Sequence, residues 1–327
     1  MGKPVLFIVI PCFNEEKVLP ITAPLFLEKL QSMIKEDLIS EGSRILFVND
    51  GSKDNTWQLI ETLSSQNQYY TGLSLSHNRG HQNALLSGLM EAKDICDITI
   101  SIDCDGQDDI EVMSEMIKQY QDGCEIVYGV RRSRNTDTFF KRTSARSYYK
   151  FLRSMGVDVV YDHADYRLVS SRVLEELSKF KEVNLYLRGM FPLVGFKSTS
   201  VYYDRQKRFA GKSHYSFSKS LQLAFDGITS FSVRPIRIIA VMGAIVSILS
   251  FLMIIYIVIG RFLGGTIEGW ASTVSAISFF SGVQLLSLGV IGEYIGKIYL
   301  ETKARPRYIV SDRTSTLTDI EKDKKDA

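Results

Sequence analysis

Val5-Leu-Phe-Ile-Val-Ile-Pro-Cys-Phe-Asn-Glu15 decides how the first half of the chain is read. Its first six residues are all apolar, and Val5, Ile8, Val9 and Ile10 are β-branched. A continuous run of this kind, without polar alternation, predicts a strand buried on both faces of a mainly parallel sheet. Pro11 ends the run and polar residues follow at once. The same grammar repeats downstream. A helical segment is expected over Glu16 to Lys35, then a second strand over Arg44 to Val48 that ends in the turn Asn49-Asp50-Gly51-Ser52. Asp54 and Asn55 are placed to cap a helix running through Leu63. A third strand is expected over Leu73 to Ser76, with a helix from Gln82 to Ala92. A fourth covers Ile98 to Ile102, with a helix from Glu111 to Gln121, and a fifth covers Glu125 to Gly129. Strands alternating with helices predict an α/β sheet with right-handed crossovers. The polar clusters fall just after strand ends, where open α/β sheets bind ligands.

The 327 residues carry a formal net charge of +2, which gives no overall field for nucleic acid. Cys12, Cys96, Cys104 and Cys124 show no CxxC spacing and read as small buried apolar residues in a reducing compartment. The N-terminal apolar run is too short for a signal-peptide core, so the first domain is expected to stay in the cytosol. The composition changes after Val233. No charged residue occurs from Ile238 to Ile259, roughly 33 Å of helix at ~1.5 Å per residue. Arg261 closes that stretch. A connector with Gly264, Gly265 and Glu268 leads to a second uncharged stretch, Gly269 to Gly292, closed by Glu293. Arg234 and Arg237 precede the first span, and Lys297, Lys303, Arg305 and Arg307 follow the second. That asymmetry predicts two membrane spans with the large domain and both termini cytoplasmic. Tyr215 to Phe231 places Phe217, Leu221, Phe225 and Ile228 on one side. It reads either as an interfacial helix or as one packed on the first domain. The tail beyond Val310 is polar and charged, and is expected to be disordered.

Four strand-end clusters carry the chemistry. Asp103-Cys-Asp105 presents two carboxylates whose oxygens suit Mg²⁺ or Mn²⁺ shared with a diphosphate. Taken singly it is also an ordinary solvated turn, and Asp108 and Asp109 beyond it read as a helix cap. Asp50 can accept from a uracil N–H with Gly51 allowing close backbone approach, or can simply be part of an Asp-Gly turn. Asn14 and Glu15 are placed to contact a nucleoside, and Arg79 to reach a phosphate or carboxylate with its planar fork. His77 and His81 have an i, i+4 spacing without the HExxH context of a zinc site.

Taken together, Pro11-Cys-Phe-Asn-Glu15, Asn49-Asp-Gly-Ser-Lys-Asp54, Asn78-Arg-Gly80 with Asn83-Ala84, and Asp103-Cys-Asp-Gly-Gln107 resemble the nucleotide-sugar half of the GT-A fold in family-2 glycosyltransferases. With the paired C-terminal spans, the chain to about Val310 resembles the polyprenyl-phosphate glycosyltransferases, which include bactoprenol glucosyltransferases and relatives of dolichyl-phosphate mannose synthase. His163-Ala-Asp165-Tyr-Arg167-Leu168 is similar to the "GDFRL" segment of that group, with Ala164 and Tyr166 as departures. Arg205-Gln-Lys-Arg208-Phe-Ala-Gly211-Lys212-Ser213 resembles its "RxxRxxGxSK" loop, with His214 where the final lysine stands.

The resemblance implies a GT-A catalytic domain over residues 1–213, an interfacial helix over 214–235, a two-helix membrane domain over 236–300 and a cytoplasmic tail over 301–327. It implies donor contacts from Pro11, Asn14, Glu15, Asp50, Arg79, Asp103 and Gln107, and a divalent ion, Mg²⁺ or Mn²⁺, on Asp103 and Asp105. Arg205, Arg208, Lys212 and Ser213 would hold phosphates, with Arg234 and Arg237 near the lipid phosphate. Asp105, Asp165 and Arg208 would carry catalysis. The implied reaction is inverting transfer of a hexose, glucose or N-acetylglucosamine, from a UDP-sugar to undecaprenyl phosphate at the cytoplasmic face of the inner or plasma membrane, by a homo-oligomer. GDP-mannose is the alternative donor, and a non-catalytic membrane scaffold is the alternative role. A processive polysaccharide synthase would carry more spans and a QxxRW motif, and a transporter would carry ionisable residues within its spans.

Overall fold

A computed structural model describes residues 2–132, 163–182, 187–204, 232–262 and 269–325. The chain divides into two compact units. One comprises residues 1–149, 158–216 and 305–327, and the other 150–157 and 217–304. In the first unit β1 (Leu6–Cys12), β2 (Arg44–Asn49), β3 (Tyr70–Leu75) and β4 (Ile98–Ser101) lie parallel, in the spatial order β4-β1-β2-β3. All of β1 is buried, as its unbroken apolar run requires. Between these strands run α1 (Leu19–Lys35), α2 (Thr56–Gln66) and α3 (His81–Ala92). Each turns an apolar face to the core: Phe26, Leu30 and Met33 from α1, Ile60 from α2, Leu85 and Leu89 from α3. A fully buried side chain of this size is worth about 1.5–3 kcal/mol. Gly88 lets α3 lie directly on the sheet, because a Cβ there would stand 2.5 Å from Val9 and 2.6 Å from Val48.

The chain builds outward from β1 to β2 and β3, then returns to place β4 on the other flank of β1. Such a reversal opens a crevice at the carboxyl ends of the strands. The loop after β1 and the Asp103-Cys-Asp105 loop after β4 flank it.

Beyond α4 (Val112–Gln121) the sheet is mixed, where the sequence predicts parallel strands. β5 (Ile126–Arg131) and β4 both pair antiparallel with β6 (His163–Ser170), which lies between them. After α5 (Ser171–Ser178) and α6 (Leu187–Val194), β7 (Ser198–Tyr203) joins the edge parallel to β5. The pairing of these strands is decided by partners far away in the chain.

The second unit contains α7 (Arg234–Phe262) and α8 (Trp270–Lys303). Both are long and apolar enough to cross a membrane. α8 runs ten residues past Glu293, the charge expected to close the span. Tyr294 Oη donates to the Ser232 carbonyl at 2.5 Å, tying α8 to the segment that leads into α7.

The C-terminal tail differs from the expectation of disorder. Its β8 (Val310–Arg313) pairs antiparallel with β3, and α9 (Ser315–Lys325) follows. Gly72 N–H donates to Thr314 Oγ1 at 2.9 Å, Thr316 Oγ1 donates to the Tyr70 carbonyl at 3.1 Å, and Leu317 is fully buried. A composition count misses this because four residues of edge strand need only backbone groups and a few hydroxyls. The expected interfacial helix over 214–235 lies almost wholly outside the described residues.

Candidate active site

Around β1 and β2 the site is held together by side chains that satisfy backbone N–H groups. Asn14 adopts a left-handed conformation (φ 56°). Its N–H donates to Ser52 Oγ at 3.0 Å, and its Oδ1 accepts from Lys53 N–H at 2.9 Å. Glu15 N–H donates to Thr56 Oγ1 at 2.9 Å, and Glu16 N–H to Asp54 Oδ2 at 3.2 Å. The expected cap at Asp54 and Asn55 takes a specific form: Asp54 Oδ1 accepts from Thr56 N–H, while Asn55 at the N-cap makes no side-chain cap bond.

Asp50 is buried, and its carboxylate accepts from Arg79 N–H at 2.7 Å and Gly80 N–H at 2.9 Å. Burial pushes its pKa up, against those two N–H groups. Asp50 therefore fixes the Asn78-Arg-Gly80 loop, and a base contact would have to use its remaining lone pairs. Gly51 is required here: φ is +60°, and a Cβ would meet Asn78 N at 2.5 Å. Arg79 is exposed at the mouth of the crevice.

Asp103 and Asp105 stand at the end of β4, with Gly106 in a positive-φ turn (φ 67°). Asp105 Oδ1 accepts from Gln107 N–H at 3.0 Å. Burial, together with the charges of Asp108, Asp165 and Asp105, raises the pKa of Asp103 against the pull of His81. Asp103 and Asp105 offer two carboxylates whose oxygens suit a hard divalent cation; among the described residues no group of three His, Cys, Asp or Glu side chains is placed to hold one, so an ion here would complete its shell with ligand or water oxygens. Asp108 is more than a cap. It is buried, and its Oδ1 accepts from Tyr203 Oη at 2.6 Å and Arg131 Nη2 at 3.2 Å. The loop after β4 is thereby tied to the last residues of β5 and β7.

Asp165, on β6, is held by several cationic and amide side chains. Oδ1 accepts from Arg167 Nη2 at 2.8 Å and Arg188 Nε at 3.2 Å. Oδ2 accepts from Arg188 Nη2 at 3.1 Å and Gln82 Nε2 at 3.3 Å, and lies 3.4 Å from His81 Nε2. Burial alone would raise its pKa; the charges of Arg188, Arg167 and His81 and the hydrogen bond from His81 overcome that and hold it well below the usual carboxylate range. Arg167 is fully buried, with its guanidinium 4.5 Å from the centre of the Phe191 ring.

His81 opens α3, with Nε2 3.6 Å from Asp103 Oδ1. Its side chain is 42% exposed. Partial burial works against the charged ring, but the hydrogen bond to Asp165 and the charges of Asp103 and Asp165 hold its pKa up at about 9.

Asn14, Glu15, Asp50, Arg79, Asp103, Asp105 and Gln107 thus all lie on loops at one end of the sheet, with Asp165 beside them. Pro11 is the penultimate residue of β1. Arg205, Arg208, Lys212 and Ser213 lie outside the described residues. Arg234 and Arg237 lie in the first turn of α7, in the other unit. Gln82, Arg131, Arg188 and Tyr203 are partners of these carboxylates that the sequence reading passes over, and His81, weighed there only as half of a zinc pair, is another. The one available signal was the position of His81 directly after Gly80, and an isolated arginine such as Arg188 gives none. All four cysteines are buried, as expected.

Comparison with known proteins agrees with this layout. Residues 7–178 match the model of glycosyl transferase family 2, and residues 234–298 that of the GtrB C-terminal hairpin. An uncharacterized glycosyltransferase, YkoT, of Bacillus subtilis (strain 168) is 52% identical over 94% of this chain and 92% of its own. A bactoprenol glucosyl transferase of Shigella phage SfX is 38% identical over 94% of this chain and 98% of its own, and a prophage homolog of such an enzyme in Escherichia coli (strain K12) is 36% identical over 93% and 97%. The family match over more than half of the chain, the GtrB hairpin match and these relatives, on a fold with a crevice at the reversal of the strand order, place the chain in glycosyl transferase family 2, among the polyprenyl-phosphate glycosyltransferases.

Proposed function

We propose that the protein transfers glucose from UDP-glucose to a polyprenyl phosphate, undecaprenyl phosphate in a bacterial membrane, with inversion at the anomeric carbon. UDP-N-acetylglucosamine is the second donor to consider. The observation that carries this reading is the joint match, in one chain, to the family-2 domain and the GtrB-type hairpin, with a bactoprenol glucosyl transferase aligned over 94% of this chain.

A lipid phosphate is an anion at neutral pH and needs no base to become a nucleophile. Its oxygen attacks the anomeric carbon while the bond to the nucleoside diphosphate breaks, so one displacement inverts the configuration. The protein's share is alignment and charge stabilisation. Asp103 and Asp105 would hold Mg²⁺ or Mn²⁺, which would neutralise charge on the departing diphosphate. Asp50, Asn14 and Glu15 shape the nucleoside pocket, and Arg79 faces the phosphates. Asp165 accepts from Arg167, Arg188 and Gln82, and the charges around it hold its pKa well below the usual carboxylate range, which makes it a weak base and suits it to ordering the site. Arg205, Arg208, Lys212 and Ser213 clamp the phosphates, with Arg234 and Arg237 at the membrane surface toward the lipid phosphate. Both termini face the cytoplasm, and the protein works as a homo-oligomer.

The test uses the full-length protein in detergent with undecaprenyl phosphate and, separately, UDP-glucose, UDP-N-acetylglucosamine and GDP-mannose. Mass analysis should find a hexosyl lipid phosphate from UDP-glucose, with inverted configuration. A product from GDP-mannose alone, or from no donor, would overturn the reading.

A further inference from the structure

The geometry points to Tyr203 as a positioning residue whose hydroxyl, through Asp108, sets the placement of the Asp103–Asp105 loop relative to the basic segment that starts at Arg205. This deepens the transfer reaction proposed above and rests on it.

The contacts form a closed triangle. Tyr203 Oη donates to Asp108 Oδ1 at 2.6 Å, Arg131 Nη2 donates to the same oxygen at 3.2 Å, and Arg131 Nε donates to Tyr203 Oη at 3.3 Å. Asp108 and Tyr203 are both buried, so breaking one of these bonds leaves a polar group without water to replace its partner. Burial, together with the charge of Asp108, pushes the pKa of the Tyr203 phenol up, so its hydroxyl remains a donor. The ring is held as well. It packs edge-on against Tyr166, with centroids 5.4 Å apart, and Tyr166 Oη donates to the Asp109 carbonyl at 3.0 Å. The Tyr203 carbonyl accepts from Arg132 N–H at 2.8 Å, which fixes the end of β7 on the end of β5.

Asp105 precedes Asp108 by three residues, a reach of at most about 11 Å. Its Oδ1 is also turned back onto Gln107 N–H. The carboxylate pair therefore cannot shift far while Asp108 is held. Arg205 follows Tyr203 by two residues, a reach of at most about 7 Å. One side chain thus stands between the two groups that the proposed reaction brings to the donor diphosphate, the carboxylates of Asp103 and Asp105 and the cations from Arg205 to Lys212. Its hydroxyl is committed to Asp108 and Arg131, so it acts through them and not on the substrate. Alignment is sensitive to small displacements: a shift of about 1 Å costs up to about a hundredfold in rate. A phenylalanine at 203 would keep the ring contact with Tyr166 and leave Asp108 to Arg131 alone.

The test is steady-state kinetics on the full-length protein in detergent with UDP-glucose and undecaprenyl phosphate, beside UDP affinity by calorimetry and Tm. Tyr203→Phe should lower kcat about ten- to a hundredfold. UDP affinity should change by less than about threefold, because the nucleoside contacts belong to the other side of the crevice. Asp108→Ala should behave alike, and Asp108→Asn, which keeps an acceptor oxygen for Tyr203 and Arg131, should recover most of the loss. Added to Arg208→Ala, Tyr203→Phe should cost much less than it does alone, since both disturb one alignment. Unchanged kcat in Tyr203→Phe overturns the proposal. Equal losses in Asp108→Asn and Asp108→Ala overturn it as well, since the charge of Asp108 would then matter and its hydrogen bonds would not. A fully multiplicative loss in the double variant breaks the link to the basic segment and has the same force. A lower Tm with kcat per folded protein unchanged would make the role of Tyr203 purely structural and overturns the proposal too. Absence of transfer by the unsubstituted protein from UDP-glucose, UDP-N-acetylglucosamine and GDP-mannose removes the proposed function itself, and this proposal with it.

Discussion

The two sides of the crevice are built by different means. Around β1, β2 and β3, loops are held by side chains that bond to backbone: Asn14 to Lys53, Ser52 to Asn14, Thr56 to Glu15, Asp50 to Arg79 and Gly80. Around β6 and α6, side chains bond to side chains across long sequence separations, as Arg188 and Gln82 do to Asp165, and Arg131 and Tyr203 to Asp108. Backbone bonding makes a rigid socket whose shape tolerates changes elsewhere. A charge network makes an ordered site whose members depend on one another. The first suits recognition of a nucleoside, and the second suits alignment of charged groups during transfer.

The loop that joins the two sides should respond most strongly. Asp105→Asn should lower kcat by about a thousandfold, since it weakens the cation's hold on the leaving diphosphate. Circular dichroism should show an intact fold. Full activity in Asp105→Asn, or in EDTA-treated protein, would leave the metal reading without support.

Next comes the charge network. Arg188→Ala removes a two-bond contact to Asp165, and a charged hydrogen bond is worth about 1.5–3 kcal/mol. Arg188 is 32% exposed, so solvent screening favours the lower end. Turnover should fall about tenfold while UDP affinity stays within about twofold, because the socket does not use this contact. Equal losses in turnover and UDP affinity, measured by steady-state kinetics and calorimetry, would break the distinction between the two sides.

The socket gives the converse case. Gly51→Ala forces a Cβ to 2.5 Å from Asn78 N at a positive φ, a strain of about 1–3 kcal/mol. UDP affinity should drop more than kcat at saturating donor. A variant with normal UDP binding would show that the Asp50 and Asn78 loops can move apart freely.

The smallest effect belongs to the sheet edge. Thr314→Val deletes the acceptor for Gly72 N–H, worth about 1 kcal/mol. Tm should fall by a few degrees with turnover unchanged. An unaltered Tm would mean that β8 adds nothing to the stability of the sheet.

The donor side was legible because each of its motifs is local: an apolar strand, its end, and the polar residues directly after it. The run ending at Pro11 and the strand-end clusters after it, taken jointly, pointed to the fold and the family. The two apolar stretches were legible for the same reason, since uncharged length alone makes a helix fit to span a bilayer. Tertiary structure alone decided the rest. Asp165 was placed in the site by resemblance alone; its partners became visible only when β6 came between β4 and β5 and α6 delivered Arg188 to it. Asp108 passed for a cap until β5 and β7 brought Arg131 and Tyr203 to its oxygen. The tail looked disordered until β3 offered it an edge. Hydrophobic pattern and strand-end chemistry are properties of neighbours in sequence, whereas the charge state of a buried carboxylate is set by groups that only folding brings within hydrogen-bonding reach.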